Sequence, residues 1–229
     1  MIENFLKLSK KKDGLRRYWL PLNQLLNWLQ IQIKIVCIKA KTLFTAIPEV
    51  YNGKVYLHLG CGNINKENFI NIDGSPYSHV HYVQSLDKLS NFDDDSVDLI
   101  YACHCLEHFR YSQTGSVLRE WYRVLKNGGV LRLSVPDFDK LVGIYKAHNN
   151  DPNVILPQLM GGQNNKYNYH LTSFNIVNLT RYLEDVGFSC IKEWLPGSEE
   201  LTTFNDFSVY KKEIEGKLYE ISLNIEAIK

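Results

Sequence analysis

The chain has 229 residues, of which 45% are hydrophobic and 22% are charged, and its formal net charge is +1. This composition is that of a globular domain with a substantial core, and the near-neutral charge gives no basic field for binding nucleic acid. The five cysteines are odd in number and scattered, which favours a reducing cytoplasm, and no apolar stretch reaches the ~18 residues of a membrane span.

The first fifty residues differ from the rest and are predicted to form an N-terminal helical extension (1–50) before a main domain (51–229). Apolar residues recur at helical spacing over residues 22–44. Two interpretations stay open. In the first, the helix packs on the main domain. In the second, residues 1–45 contact a partner or the inner face of the membrane. The second rests on basic residues and tryptophans: Lys10, Lys11, Lys12, Arg16, Arg17, Trp19 and Trp28.

Beyond Gly53, strand and helix patterns alternate. The predicted strands are 54–59, 69–72, 80–83, 97–103, 130–135, 190–194 and 219–228. The predicted helices are 115–125 with a stop at Asn127-Gly128-Gly129, one after Pro136, and 173–186 with a stop at Gly187. This alternation predicts an α/β, Rossmann-like, doubly wound sheet of about seven mostly parallel strands, the last antiparallel. Such sheets bind ligands beyond the carboxyl ends of their strands.

The stretch "LHLGCGNIN" at 57–65 ends the first strand in two glycines, Gly60 and Gly62. A dinucleotide fingerprint needs a third glycine where Asn65 stands, and no Lys-Ser or Lys-Thr follows to make a P-loop. The loop therefore suits a ligand that approaches the backbone closely without a phosphate. Asp73 ends the second strand, where a carboxylate can accept both ribose hydroxyls. Together these features suit an adenosine with an amino-acid tail.

Seven segments in order resemble the class I S-adenosylmethionine-dependent methyltransferases. They are "LHLGCGN", "NIDGSP", "FDDDSVDLIYACHCLEHF", "EWYRVLKNGGVLRLSVPDF", "GGQNNKYNYHLTSF", "LEDVGF" and "SLNIEAIK". Within that class the chain resembles the "type 11" group, and more narrowly small bacterial enzymes associated with surface-polysaccharide biosynthesis. The resemblance implies S-adenosylmethionine as cofactor and methyl transfer to a small polar acceptor, such as a sugar hydroxyl of a surface glycan or its precursor. The alternatives are another small metabolite as acceptor, or a non-catalytic cofactor-binding partner subunit.

The resemblance also assigns cofactor contacts. Residues Gly60, Cys61 and Gly62 would contact the methionine end of the cofactor through backbone atoms, and Asp73 would bind its ribose. Ser85 and Leu86 occupy the pair that usually supplies an aspartate and a backbone amide to the adenine. Ser85 departs from this pattern because it carries no charge. Cys103, at the end of the fourth strand, completes the predicted cofactor residues.

Three residues are candidates for catalysis. His104 follows the fourth strand and, in this fold, would face the methyl group as a base or as an orienter of the acceptor. Asp137 follows the fifth strand and either touches substrate or caps the next helix. The polar, aromatic segment "GGQNNKYNYHLTSF" contains the third candidate, His170, together with Tyr167 and Tyr169 as predicted substrate contacts. The alternative for this segment is a lid hinge whose tyrosines only pack.

No metal site is predicted from the sequence. Cys103-x-Cys105 lacks the second cysteine pair of a zinc site. The acidic run 93–95 precedes a strand and is interpreted as a solvated turn. Glu107 and His108 are interpreted as a packing and capping pair.

Overall fold

A computed structural model of the chain describes residues 22–33, 36–37, 40, 52–202 and 204–229. Its strands are β1 (Tyr56–Leu59), β2 (Ile70–Asp73), β3 (Tyr82–Val83), β4 (Val97–Cys103), β5 (Leu125–Pro136), β6 (Ser189–Glu193), β7 (Lys211–Ile214), β8 (Lys217–Glu220) and β9 (Ser222–Ile228). Its helices are α1 (within 22–40), α2 (Thr114–Val124), α3 (Phe138–Ala147), α4 (Leu156–Met160) and α5 (Ile176–Val186).

Seven strands form one sheet in the order β3-β2-β1-β4-β5-β9-β6. The pairs from β3 to β5 are parallel, whereas β9 runs antiparallel to both β5 and β6. The predicted Rossmann-like sheet, mostly parallel and with an antiparallel last strand, is therefore confirmed. The order reverses between β1 and β4, so the carboxyl ends of these two neighbours border the crevice where such folds bind ligands.

Strand β1 shows how the sheet is buried on both faces. Its residues alternate between two apolar clusters because successive side chains of a strand point to opposite faces. Leu57 and Leu59 belong to the main core, and Tyr56 belongs to an aromatic cluster with Tyr101 and Phe69. Burial on both faces is typical of a parallel strand and explains its near-continuous apolar sequence.

Helix α2 follows from the spacing of its apolar residues. Val117, Leu118, Trp121 and Val124 are buried and recur on one helical face, which packs against α5 on the sheet. Helix α5 begins at a capping box formed by Asn175 and Asn178 and ends at Gly187. Its predicted stop at this glycine is confirmed by a φ of 113°, which glycine adopts without strain.

Two predicted boundaries are wrong. The helix stop predicted at Asn127-Gly128-Gly129 is part of β5, because the chain turns extended already at Leu125, which pairs with Val97. The strand predicted over residues 219–228 is two strands. Residues Lys217–Glu220 form a separate hairpin with β7, and only Ser222–Ile228 joins the main sheet. The break occurs because Ile221 and Ser222 are buried, while most residues of β8 face solvent.

The described part of the N-terminal extension is helical, and its apolar side chains are exposed. Leu22 is 53% exposed, Trp28 56% and Ile33 60%. The basic cluster and Trp19 lie outside the described residues. Among the helices that the structure describes, none is long and apolar enough to cross a membrane.

Candidate active site

The loop after β1 exposes its main chain at the point where the strand order of the sheet reverses. Gly60 and Gly62 have φ values of 66° and 54°, in the left-handed region. A Cβ on Gly60 would lie 2.6 Å from the Cβ of Cys105, so only glycine fits there. A Cβ on Gly62 would meet no atom within 4 Å, so a side chain at this position would enter open space. The two glycines thus leave room for a ligand against the main chain.

Asp73, at the end of β2, fixes this loop with its carboxylate. Its Oδ2 accepts a hydrogen bond of 2.9 Å from the Gly62 amide, and its Oδ1 accepts one of 2.7 Å from the Ser75 amide. A carboxylate has about four acceptor sites, so each oxygen keeps capacity for a hydroxyl donor. The residue can therefore hold the loop and bind a ribose together.

A first cavity of about 410 Å³ opens beside this loop. Gly60, Gly62 and Asp73 line this cavity, and so do Ser85 and Leu86, which follow the end of β3. The predicted cofactor residues are thus brought together, except that Cys61 and Cys103 line a neighbouring cavity. The open backbone at Gly62 and the available carboxylate of Asp73 fit the amino-acid and ribose parts of S-adenosylmethionine.

A second cavity of about 360 Å³ adjoins the first. Five residues line both cavities and so mark their junction: Gly60, Gly62, His104, His108 and Asn168. The second cavity has several polar side chains on its wall, among them His58, Gln158, His170 and Asp206. Two ligands bound in the two cavities would meet at this junction.

His104 stands at the junction with a φ of 49°, unusual for a residue with a side chain. Its Nε2 lies 2.8 Å from Ser222 Oγ, and that hydroxyl donates its own proton to the Phe207 carbonyl. Nε2 must therefore carry the proton, and Nδ1 faces Glu107 Oε1 at 3.4 Å. Burial, followed by the nearby His170 and His108, lowers the pKa of His104 to about 3. The ring is neutral and held in one orientation.

His170 reaches the second cavity from the segment after α4. Its Nδ1 lies 2.9 Å from the Gln158 carbonyl, and its ring stands edge-on to that of His108, with centroids 5.0 Å apart. Burial, with a smaller contribution from His108, lowers the pKa of His170 to about 4. The structure thus brings His104 and His170 to the same cavity, as the sequence predicts.

The remaining predicted residues differ in how they relate to the cavities. Asp137 accepts a 3.0 Å hydrogen bond from the Asp139 amide and caps α3, which is one of its two predicted roles. Tyr167 lines the first cavity and packs against Gly74. Tyr169 is 44% exposed, and its carbonyl accepts a hydrogen bond from His108. The acidic run 93–95 is exposed, as predicted.

Several wall residues escaped the sequence analysis. Asp206 and Phe207 reach the second cavity from the segment before β7, and Tyr101 on β4 donates a 2.7 Å hydrogen bond to Asp206. His58 lies within β1, buried and with its pKa lowered to about 4 by desolvation. No local motif marks these residues, although a histidine inside an otherwise apolar strand could have identified His58.

A comparison with protein families matches part of the chain. Residues 57–133, from β1 into β5, match the family model described as a methyltransferase domain. This region contains the glycine loop, Asp73 and His104. No curated protein matches the chain.

Several solved structures are similar to the chain at low identity. A SAM-dependent methyltransferase from Archaeoglobus fulgidus is 19% identical, with a TM-score of 0.50, and the match covers 77% of this chain and 86% of that one. A SAM-dependent methyltransferase from Thermotoga maritima is 16% identical, with a TM-score of 0.48 and coverage of 91% and 96%. A Burkholderia thailandensis 1,6-didemethyltoxoflavin-N1-methyltransferase with bound S-adenosylhomocysteine is 14% identical, with a TM-score of 0.46 and coverage of 84% and 77%.

Proposed function

We propose that the chain, whose residues 57–133 match a methyltransferase domain, transfers the methyl group of S-adenosylmethionine to a small polar acceptor, a sugar hydroxyl of a surface glycan or its precursor. The observation that carries this proposal is the pair of cavities that meet at His104. The first has the backbone and carboxylate that suit the cofactor. The second presents several polar side chains, and its volume of about 360 Å³ suits a small acceptor.

The lining of the second cavity supports a hydroxyl-bearing acceptor. Gln158 and Asp206 offer an amide and a carboxylate, and the histidines offer ring nitrogens. Phe207 adds an aromatic face, packed against the His104 ring with centroids 5.0 Å apart. Acceptors and donors around one apolar face suit a sugar, which presents hydroxyls at its rim and C–H groups on its faces. The glycan itself is inferred from the sequence resemblance.

The first cavity would bind the cofactor, and the second would bind the acceptor. Bound S-adenosylmethionine supplies a methyl group that its sulfonium already activates. Gly60 and Gly62 let the amino-acid end lie against the backbone, and Asp73 holds the ribose. These residues would place the methyl group near His104, and alignment of methyl and hydroxyl is a large part of catalysis in such a transfer.

We assign His104 to orienting the acceptor. Its Nε2 proton is already donated to Ser222, and its pKa of about 3 makes it a weak base at neutral pH. A glutamine can also orient a hydroxyl, whereas an alanine cannot. The variant His104→Gln should therefore retain much of the turnover that His104→Ala loses. If both variants lose turnover equally, while cofactor affinity is unchanged, His104 is instead the base.

A direct test is to incubate the purified protein with S-adenosylmethionine carrying a labelled methyl group and two acceptor panels, one of nucleotide-activated sugars and one of amines. Mass spectrometry would then show which panel gains a methyl group. We expect methylation of a sugar hydroxyl. Methylation confined to the amines would overturn the glycan proposal, and cofactor binding without turnover on either panel would favour the partner-subunit alternative.

A further inference from the structure

Beneath the junction of the two cavities lies a carboxylate without a hydrogen-bond partner. Glu107 is 1% exposed and belongs to a short 3₁₀ turn after β4. Within the part of the chain that the structure describes, neither Oε1 nor Oε2 has a hydrogen-bond partner. Burying a carboxylate in this state is costly unless a cation or a proton compensates it.

The two histidines beside Glu107 are both held in one tautomer. His108 Nδ1 lies 3.0 Å from the Tyr169 carbonyl, and His170 Nδ1 lies 2.9 Å from the Gln158 carbonyl. A carbonyl only accepts hydrogen bonds, so each Nδ1 carries a proton, and in the neutral form of either ring the lone pair lies on Nε2. A backbone carbonyl on the other ring nitrogen is the usual support of a metal-binding histidine.

These free atoms converge. One ligand atom each from Glu107, His108 and His170 can be chosen so that all lie within 4.8 Å of one another. His170 Nε2 is 3.9 Å from Glu107 Oε1, and the unprotonated Nδ1 of His104 is 3.4 Å from the same oxygen. Lone pairs of His104 and His170 thus face the Glu107 carboxylate, and a ligand atom of His108 lies within 4.8 Å of a carboxylate oxygen.

We propose that Glu107, His108 and His170 bind one divalent transition-metal ion of the Zn²⁺ type. Two imidazole nitrogens and one carboxylate oxygen are a ligand set that zinc uses in catalytic sites, where the fourth position stays open to water or substrate. The sequence spacing hides this set, because His170 is 62 positions from His108 and lies on a different segment.

The site needs only a small contraction to bind an ion. Ligands about 2.1 Å from a tetrahedral ion lie roughly 3.4 Å apart, so the three side chains must approach by about 1 Å. Glu107 is anchored at the end of β4, and its carbonyl accepts hydrogen bonds from the Leu171 and Thr172 amides. These bonds keep the segment with His170 close to the other two ligands.

The ion's role rests on the proposed function, whereas its binding does not. His108 lines both cavities, so an open coordination position there would meet an acceptor hydroxyl close to the methyl group. A hydroxyl bound to such an ion is more acidic than a free one. This would compensate for the weak basicity of His104.

The rival explanation is a proton on Glu107 instead of an ion. Burial raises the pKa of its carboxyl to about 8, so protonation of Glu107 would also remove the uncompensated buried charge. The two explanations differ in whether the protein binds metal. They can be separated without any acceptor or methyl transfer.

The experiment measures metal binding to the full chain. Protein stripped with a chelator would be titrated with Zn²⁺ by calorimetry, and with Co²⁺ while recording the visible absorption of a tetrahedral site. We expect one ion per chain, and an affinity at least ~100-fold weaker in Glu107→Gln and in His170→Ala. The variant His148→Gln changes a buried histidine outside the cluster and should bind as the wild type does.

Cofactor affinity and circular dichroism of each variant would show that its fold is intact. Absence of zinc binding by the wild type at millimolar Zn²⁺ would overturn the proposal in favour of the proton. Unchanged binding by both cluster variants would do the same, since the ion would then lie elsewhere. Failure of sugar methylation would leave the metal result standing.

Discussion

Asp73 combines a structural and a ligand-binding task in one carboxylate. It holds the Gly62 and Ser75 amides, and its remaining acceptor capacity faces the first cavity. An asparagine at this position keeps the shape but loses the charge and one acceptor oxygen. The backbone of the glycine loop and the ribose would then compete for a single carbonyl.

We therefore expect Asp73→Asn to weaken binding of S-adenosylhomocysteine by about 1.5–3 kcal/mol, the range for a hydrogen bond to a charged group. Isothermal titration calorimetry would measure the loss. Asp185→Asn, an exposed position on α5, serves as the control and should bind normally. Equal affinity of the two variants would show that Asp73 does not contact the ligand.

His58 makes the stability of the fold dependent on pH. Burial lowers its folded-state pKa to about 4, below the ordinary 6.5, even though its Nδ1 donates a 3.1 Å hydrogen bond to Asn71 Oδ1. As the pH falls below 6.5, His58 becomes protonated in the unfolded chain but stays neutral in the folded chain. Stability contributed by the neutral ring is thus present above pH 6.5 and is lost between pH 6.5 and 4.

The variant His58→Phe should lose less stability on acidification than the wild type, by about 3 kcal/mol between pH 6.5 and 4. Phenylalanine fits the surrounding rings of Phe69, Tyr101 and Phe204. Urea unfolding at several pH values would give the free energies. Parallel pH profiles for the two proteins would mean that His58 is not the titrating group.

At the scale of elements, the segment from Gly161 to His170 closes over both cavities. Asn168 lines both, Lys166 and Tyr167 line the first, and His170 lines the second. Gly161 permits this path, since its φ is 78° and a Cβ there would lie 2.6 Å from the Asn168 carbonyl oxygen. The segment is thus more than a hinge, because its own side chains form walls of the site.

The variant Gly161→Ala should displace the segment and weaken S-adenosylhomocysteine binding by about tenfold, a modest loss of wall contacts. Gly216→Ala is a matched control. Gly216 has a φ of 77° in the turn between β7 and β8, and a Cβ there meets no atom within 4 Å. Both substitutions cost backbone strain, but only the first should change the affinity measured by calorimetry. Similar losses in both variants would point to a general loss of stability.

At the scale of the whole molecule, the N-terminal extension has the features of a segment that attaches a protein to a membrane surface. Its described helix exposes Leu22, Leu25, Trp28 and Ile33, and the sequence before it carries the basic cluster. Exposed apolar residues next to lysines and arginines suit the surface of an anionic membrane.

We propose that this extension attaches the enzyme peripherally. The full chain should co-sediment with vesicles that contain anionic lipid, and raised salt should weaken this binding because it screens the charges. A chain that begins at Pro48 should stay in the supernatant. Equal sedimentation of the two chains, or unfolding of the shorter one, would favour simple packing on the main domain.

The sequence by itself determined the elements whose signals are local. The apolar run before Gly60 predicted β1, the helical spacing through Trp121 predicted α2, and Gly187 marked the end of α5. It also predicted the cofactor residues, because Gly60, Gly62 and Asp73 all follow strand ends that a parallel sheet brings to one edge. The turn signal at Gly128 was misleading. It predicted the end of a helix, whereas Leu125 pairs with Val97 and the chain continues as strand β5.

Only the tertiary structure decided what surrounds the acceptor. Asp206 and His170 reach the second cavity from segments far from β4 in sequence, and their positions depend on packing between elements, which no local pattern encodes. The same is true of Glu107. In sequence it belongs to a packing pair with His108, but its unpartnered oxygens and the facing lone pair of His170 exist only once the chain has folded. Local patterns specify strand ends, and the fold specifies which side chains meet beyond them.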